Sequence, residues 1–567
     1  MAPQYGTRAT SGFGRSTSLE EVNLGAPSRR SWIQLTWLET RLLLGLLFSC
    51  LDASIVSTSL VSISLDLQDF LNAPWVVLSY LLAYFGFAVG FAKMSDIYGR
   101  RTLIIISWIL FTGFSLGCGL AQNMLQLTIF RAFQGIGGSG LYSLAQIGLF
   151  EIGPAHNPSL LGALVGMTLA VSFVLGPILG GTISHMASWR WIFFINIPCG
   201  VAALLSLIFA WPRSTGSSLN AWDSFRSIDF LGNIMIIAAS TLLVFSLQSA
   251  GSFNFSWNSP VIIITLTVAS LSWIVFLTWE FFLGLNRHTR IKPVLPLRLF
   301  TRRPYLATLI CTLFSGFSYL AIIIILPERF QIVNLENSLM SGVHLLPALG
   351  ACAFGSFLAG ALSAKRNNTS ITLIVASCLQ LIGVGLMSTL SDITTEIQAQ
   401  YGYQAIFGLG VGLAFGAATI LTAVQSAQED LAVAQGSIAQ ARVFGGAVGI
   451  AVCSIIFNAQ VQNQLAGHMK PEDLTALHHS PTITSYLPPQ TQLLVRRVYA
   501  SAFTFDIQIL ICVSAVALLA SLFTFELHPP PMPSRRREEK KEDLVGTPRE
   551  VQSETELEDM ASVHRTV

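Results

Sequence analysis

The stretch Leu160–His185 reads LLGALVGMTLAVSFVLGPILGGTISH. It exceeds the ~20 mostly apolar residues that cross a bilayer. It contains no Asp, Glu, Lys or Arg, and it places Pro177 between Gly176 and the pair Gly180-Gly181. A proline inside a helix removes a backbone donor and bends it. Glycines on both sides let a second helix approach the bend. The stretch therefore reads as a bent, closely packed membrane helix.

Composition extends this reading to the whole chain. Of 567 residues, 52% are hydrophobic and only 11% charged, where a soluble domain carries about 25% charged residues. The mean hydropathy is +0.62. So few charges cannot cover a water-facing surface, and the expected class is an all-α polytopic membrane protein with the lipid bilayer as its partner. The same length criterion finds about fourteen spans. They are Arg41–Ile63, Trp75–Lys93, Thr102–Ala121, Leu127–Phe150, Leu160–His185, Trp191–Trp211, Phe230–Ala250, Pro260–Leu283, Tyr305–Leu326, Leu339–Ser363, Ile371–Leu390, Tyr401–Val424, Ala434–Asn458 and Phe505–Phe525.

The loops set the orientation. Basic residues gather at Lys93/Arg100/Arg101, at Arg213/Arg226, between Arg287 and Arg303, and at Lys365/Arg366, while the alternate loops hold few. Cytosolic loops carry such an excess, so the expected topology has an even number of spans with both termini cytosolic. Residues 1–40 read as a disordered cytosolic tail without the apolar core of a signal peptide, and 526–567 as a charged cytosolic tail. Residues 212–229 read as a cytosolic linker and 284–304 as a basic cytosolic loop. Residues 459–504 read as a long outward loop, in which Leu493–Tyr499 has the pattern of an amphipathic helix lying on the membrane. The sequon Asn254-Phe255-Ser256 falls on the outward side, where glycosylation is expected, and those at Asn367 and Asn368 on the cytosolic side, where it is not.

Several function classes are excluded. A net charge of +2, with no basic patch interleaved with aromatics, gives no case for nucleic acid. The eight Cys occur singly in apolar stretches, so they read as buried thiols rather than a disulfide or zinc framework. The sequence has no HExxH, GxSxG or GxxxxGK[ST] motif, so neither an enzyme nor an ATP-driven machine is indicated, and no cofactor or metal is expected.

Three further motifs carry the chemistry. The loop after the second span reads Ala92-Lys93-Met94-Ser95-Asp96-Ile97-Tyr98-Gly99-Arg100-Arg101. Its carboxylate can pair with the arginines or cap a neighbouring helix, and such a cluster can latch two helical bundles in one state and release them in another. The fourth span holds Arg131-Ala132-Phe133-Gln134 ahead of Gly135, Gly137, Gly138 and Gly140. An arginine there costs at least ~2.5–3.5 kcal/mol unless it faces a partner or cavity. An aromatic belt, Trp189 to Pro198, opens the sixth span.

These motifs, in this order, resemble the major facilitator superfamily. Gly176-Pro177-Ile178-Leu179-Gly180-Gly181 is similar to the signature of its drug:proton antiporters. Leu51-Asp52-Ala53-Ser54-Ile55-Val56, Trp257–Pro260, Pro293–Phe300 and Ser341–Pro347 resemble its fourteen-span fungal members, which include multidrug and secondary-metabolite (mycotoxin) efflux pumps. Ala92 and Met94 depart from the loop motif, Val61 stands where a proline often ends the first-span motif, and Ser172 replaces a frequent glycine. The resemblance implies two six-helix halves, 41–211 and 305–525, with two inserted helices at 230–283, rocking about a central site. It also implies a cytosolic gate at Asp96, Gly99, Arg100 and Arg101, and a seal at Gly176, Pro177, Gly180 and Gly181.

Ionisable groups in mid-membrane are functional by default. Asp52 is expected to carry a proton or recognise a cation, or else to be satisfied by Arg131. Arg131 is expected to tune that carboxylate or join the proton path. Arg442 and His344 are further candidates for proton coupling, with structural pairing as the alternative; the titration range of histidine suits the role. Gln134 is a candidate substrate contact or a packing hydrogen bond. Glu280, Glu526 and Asp506 lie near expected helix ends and read as solvated. The leading reading is a secondary-active, proton-driven exporter of a small amphipathic molecule at the plasma membrane, for which a monomer suffices. The alternative is a vacuolar or plasma-membrane transporter of basic amino acids or siderophores.

Overall fold

The computed structural model describes residues 29–152, 158–210, 229–250, 255–285, 291, 293–295, 297–364, 366–390, 398–426, 430–465 and 488–530. Among these the regular structure is helical, with no strand. The helices are α1 (Arg29–Asp66), α2 (Pro74–Tyr98), α3 (Arg100–Leu120), α4 (Met124–Ile152), α5 (Pro158–Met186), α6 (Trp191–Phe194), α7 (Asn196–Ala210), α8 (Phe230–Ser249), α9 (Pro260–Leu285), α10 (Leu297–Phe300), α11 (Arg303–Ile332), α12 (Ser338–His344), α13 (Leu346–Leu362), α14 (Thr369–Met387), α15 (Ala399–Gln425), α16 (Leu431–Leu465) and α17 (Pro489–Leu522). Most of the N-terminal tail, nearly all of the 212–229 linker, Asn254 of the outward sequon, residues 466–487 of the long outward loop and residues 531–567 lie outside the described residues.

Thirteen segments are long and apolar enough to cross a membrane, α6/α7 and α12/α13 each counting as one. The remaining expected span is α4. Its 29 residues are long enough, but it carries Arg131, Gln134 and Gln146, all buried. That polarity belongs to the site it builds.

Local chemistry explains the ends and breaks. Proline opens α2, α5, α9 and α17, where its missing N–H has no helical partner to lose. Asp229 Oδ1 accepts the Gly232 N–H at 2.8 Å and caps α8, and Asn337 Oδ1 accepts the Met340 N–H at 2.8 Å and caps α12. Pro198 and Pro347 sit just after the breaks in the sixth and tenth spans. Gly99 joins α2 to α3 at φ +88°, a conformation open to glycine and strained for other residues.

Four expectations need correction. Leu493–Tyr499 does not lie on the membrane surface. It belongs to the 34-residue helix α17, where Val495, Val498 and Tyr499 are buried. The last span therefore starts sixteen residues before Phe505, and Asp506 falls mid-helix, 1% exposed. Glu280 is 3% exposed; its carboxylate accepts the N–H groups of Val294 (3.0 Å) and Leu295 (3.2 Å) and so holds the basic loop against α9. Of the eight cysteines, Cys512 is exposed and Cys199 and Cys378 are half-buried; their thiols have apolar lipid or neighbouring helices beside them rather than a sealed core.

Two large apolar clusters organise the bundle. One centres on α1–α4, around Leu46, Ile55, Trp108, Phe111 and Leu127. The other joins α11, α15 and α17, around Phe317, Ile322, Phe407, Phe503 and Leu510. The helices α8 and α9 stand beside α2 and α16, joined through Phe85, Ile236 and Phe276. On α9, Ile264, Leu271, Ile274 and Leu277 are exposed, as a lipid-facing surface requires.

The Gly-Pro segment does what its composition implies. Hydroxyls of α1 donate to carbonyls of α5: Ser54 to Ser172 (3.2 Å), Thr58 to Pro177 (3.1 Å) and Ser59 to Gly180 (3.1 Å). Ser172 returns a bond to the Leu47 carbonyl at 3.1 Å, so the departure from glycine there adds a tie. Val61 keeps α1 continuous to Asp66. A Cβ at Gly176 would stand 2.8 Å from Ser54 Cβ and 3.1 Å from the Ile55 nitrogen. Gly176→Leu should force α1 and α5 apart and lower the thermal unfolding midpoint of the detergent-purified protein, at a cost of about 1–3 kcal/mol or more. An unchanged midpoint would show that this contact does not hold the helices together.

Candidate functional site

The polar residues of the first, fourth and sixth spans converge on one point. Asp52, Arg131 and Gln134 are each 0% exposed. The Arg131 guanidinium donates to Asp52 Oδ2, to Gln134 Oε1 at 2.9 Å and, through Nε, to the Val76 carbonyl at 3.0 Å. Its Cζ lies 4.3 Å over the Tyr80 ring. The other Asp52 oxygen accepts from Gln134 Nε2 and from Asn196 Nδ2, both at 2.9 Å. Gln134 also donates to Ser115 Oγ at 2.7 Å. Five helices, α1, α2, α3, α4 and α7, thus meet on a single buried ion pair. A buried pair is costly unless hydrogen bonds satisfy its remaining atoms; here amides serve the carboxylate, a carbonyl and a ring serve the cation, and Arg131 Nη2 is left without a hydrogen-bond partner.

Gln134 is fully engaged in this cluster, donating to Asp52 and Ser115 and accepting from Arg131. Asn196 was not singled out from sequence. The signal was an amide inside an otherwise apolar, aromatic stretch, immediately before the Ile-Pro break.

A cavity adjoins the cluster, lined by Tyr80, Tyr84 and Tyr142 on one side and by Phe173, Tyr319 and Arg442 on the other. Tyr80 connects the two, since its ring covers Arg131 and its hydroxyl donates to the Ser49 carbonyl at 3.0 Å. Arg442 places its guanidinium 3.8 Å over the Phe415 ring. Its Nε has no hydrogen-bond partner, and no carboxylate forms an ion pair with it among the described residues. The cavity is an aromatic chamber with one cation on its wall.

The remaining candidates lie elsewhere. His344 stands apart from the cluster, its Nδ1 3.0 Å from Glu336 Oε2 and its ring between Phe330 and Tyr401. The carboxylate partner is eight residues away in sequence, across a loop, where no helical spacing points to it. In the loop motif, Arg100 donates to the Ala92 carbonyl at 3.2 Å and to Ser95, and Arg101 to the Ile208 carbonyl at 2.8 Å. The Asp96 side chain lies outside the described residues. A second polar cluster was missed: Arg298 pairs with Asp430, Arg302 donates to the Gln425 carbonyl, and Gln425 donates to Glu526 at 2.8 Å. Glu526 is thus a bonded partner rather than a freely solvated end, because the helix termini around it supply donors.

Arg131→Met removes the cation and leaves Asp52 buried without a counter-charge. It should destabilise the protein by about 3–5 kcal/mol, more than Asp52→Asn, which keeps an acceptor for Gln134 or Asn196. Thermal unfolding of the two variants in one detergent compares them. Equal midpoints for Arg131→Met and wild type would refute a structural role for the pair.

Comparison with known proteins agrees with this architecture. The family model described as Major Facilitator Superfamily matches residues 42–450. The chain is 35% identical over 507 residues to the MFS-type transporter FPY5 of Fusarium mangiferae, covering 88% of this chain and 85% of that protein. It is 30% identical over 417 residues to the MFS-type efflux pump LUC4 of a Fusarium species, covering 74% and 73%. Among solved structures it is similar to a bacterial homolog of the human lysosomal transporter Spinster, in an inward-facing and unoccupied conformation. The TM-score is 0.57 at 14% identity, over 87% of this chain and 99% of that one, a likeness of fold. A bundle of bent membrane helices around a buried ion pair, matched by the family model over most of its length, identifies this integral membrane chain as a member of the major facilitator superfamily.

Proposed function

We propose that this transporter is a secondary-active exporter that exchanges protons for a small amphipathic organic molecule by alternating access. The observation that carries the reading is the sealed Asp52–Arg131–Gln134 cluster directly behind an aromatic cavity walled by Arg442. Residues 41–211 and 305–525 are the moving halves and 230–283 the insert. The cavity takes the substrate: the tyrosines suit an apolar body, and Arg442 suits an acceptor or acidic group on it. In the cycle, Asp52 is the proton carrier and Arg131, hydrogen-bonded to it, is the partner it exchanges. The loop Asp96–Arg101 gates the cytosolic side, and the packing of Gly176, Pro177, Gly180 and Gly181 seals the cavity against leak. Efflux pumps among the fungal relatives support the outward direction. The plasma membrane is the site of action and a monomer is the working unit.

Two tests follow. In vesicles with an imposed proton gradient, a panel of anionic and cationic amphipathic dyes should be moved against the gradient, and a protonophore should stop the movement. Asp52→Asn, at equal abundance, should abolish it. Dye movement unaffected by both treatments would end the antiport reading. For orientation, Asn254→Gln should remove any glycosidase-sensitive mobility shift, and Asn367→Gln should not. The Asn367 side chain already donates to the Pro530 carbonyl at 2.9 Å, beside the C-terminal segment. A shift abolished by Asn367→Gln alone would invert the topology.

A further inference from the structure

Two acids have no place in that scheme. Glu328 on α11 and Asp506 on α17 line one cavity, which α16 and the loop before α2 close on its other sides. Asp506 is 1% exposed, yet its Oδ1 finds no hydrogen-bond donor, and Glu328 lies within electrostatic reach of it. The surrounding wall is mostly apolar, with Phe70, Phe457 and Phe503 and the polar Ser454 and Asn458; Cys453 is the only other titratable group on it.

No cation among the described residues answers these acids. Arg329, next to Glu328, gives its guanidinium to the Leu390 carbonyl. Arg496, earlier on α17, donates Nε to the Val333 carbonyl at 2.8 Å. Arg442 on α16 covers Phe415. On α1, which packs against α11, Asp52 is held by Arg131 and Asp66 by Arg190. On α12, His344 faces Glu336. The helices α14 and α15 carry no charged residue.

Asp52 and Asp506 are thus opposite solutions to one problem. Asp52 is buried against a guanidinium and two amides. Asp506 is equally buried, faces a second carboxyl, and has no counter-charge. Two carboxyls that share an apolar site cannot both ionise, and the pair keeps a proton. We propose that Glu328 and Asp506 form a proton-binding site, holding one shared proton apart from the Asp52–Arg131 cluster. When the loop before α2 parts from α11, α16 and α17 and water enters, the O–H bond breaks, the electron pair stays on the carboxylate and the proton passes to water. The use of this site in transport rests on the antiport reading; its existence does not.

The test needs no substrate. Infrared difference spectra of purified full-length protein in nanodiscs would be recorded as pH is raised, with proton release counted in parallel. Wild type should lose a protonated-carboxyl C=O band and release one proton more per molecule than Glu328→Gln/Asp506→Asn. The single variant Asp506→Asn should shift that band and the pH at which it is lost, since the carboxyl that shares the cavity with Glu328 is gone. That single variant decides the matter if the double variant is not recovered. Equal proton release and the same band in wild type and variant would overturn the site. Because dye flux in vesicles is read separately, loss of this site would leave coupled export standing, and absence of coupled export would leave the titration result intact.

Discussion

An arginine in the middle of a membrane helix cannot be left to the lipid, and much of the first half of this protein is arranged to meet that constraint. Arg131 must find an anion, a carbonyl or a π face within reach of α4. It finds all three, in Asp52, Val76 and Tyr80. Each comes from a different part of the chain or a different atom type, so satisfying one side chain places α1 and α2 against α4. The carboxylate then needs donors of its own, and Gln134 and Asn196 supply them, which brings in α7. The break before Asn196 puts that amide at the start of a helix, inside the cluster rather than in lipid. Satisfaction of one charge thus propagates into the packing of five helices.

The seam between α1 and α5 solves a different problem by the same logic. Pro177 interrupts the backbone ladder of α5, and carbonyls near a bend look for donors. The serines and threonine of α1 provide them at near one-turn spacing, and Gly176 and Gly180 let the two backbones come close enough for short side chains to reach. Such a seam is tight without being charged. It can slide or part without leaving an ion exposed to hydrocarbon, which suits a contact beside a substrate path.

The buried charges divide by partner. Arg131 and Asp52 are matched to each other. Arg442 has an aromatic ring in place of an anion, and the Glu328–Asp506 cavity brings two carboxyls together with no cation among the described residues. Matched charges fix structure, whereas unmatched ones are open to a ligand or a proton.

The membrane class, nearly all the spans, the proline-bearing fifth helix packed closely on the first and the pairing of Asp52 with Arg131 were legible in the sequence. Each rests on local information: apolar length, a proline among glycines, an ionisable residue where none is tolerated. The start of α17 was misread because the apolar face of Leu493–Tyr499, with Val495, Val498 and Tyr499, packs against protein rather than lying in a membrane surface. Asp506 and Glu280 were misread for the same reason, since distance from an expected helix end says nothing about what packs beside it. Hydropathy thus determined that the chain crosses the membrane and roughly where. Only the tertiary structure decided which buried polar group meets which, because Asn196 is brought to Asp52, and Glu328 to the same cavity as Asp506, by packing between helices across distances that no sequence spacing encodes.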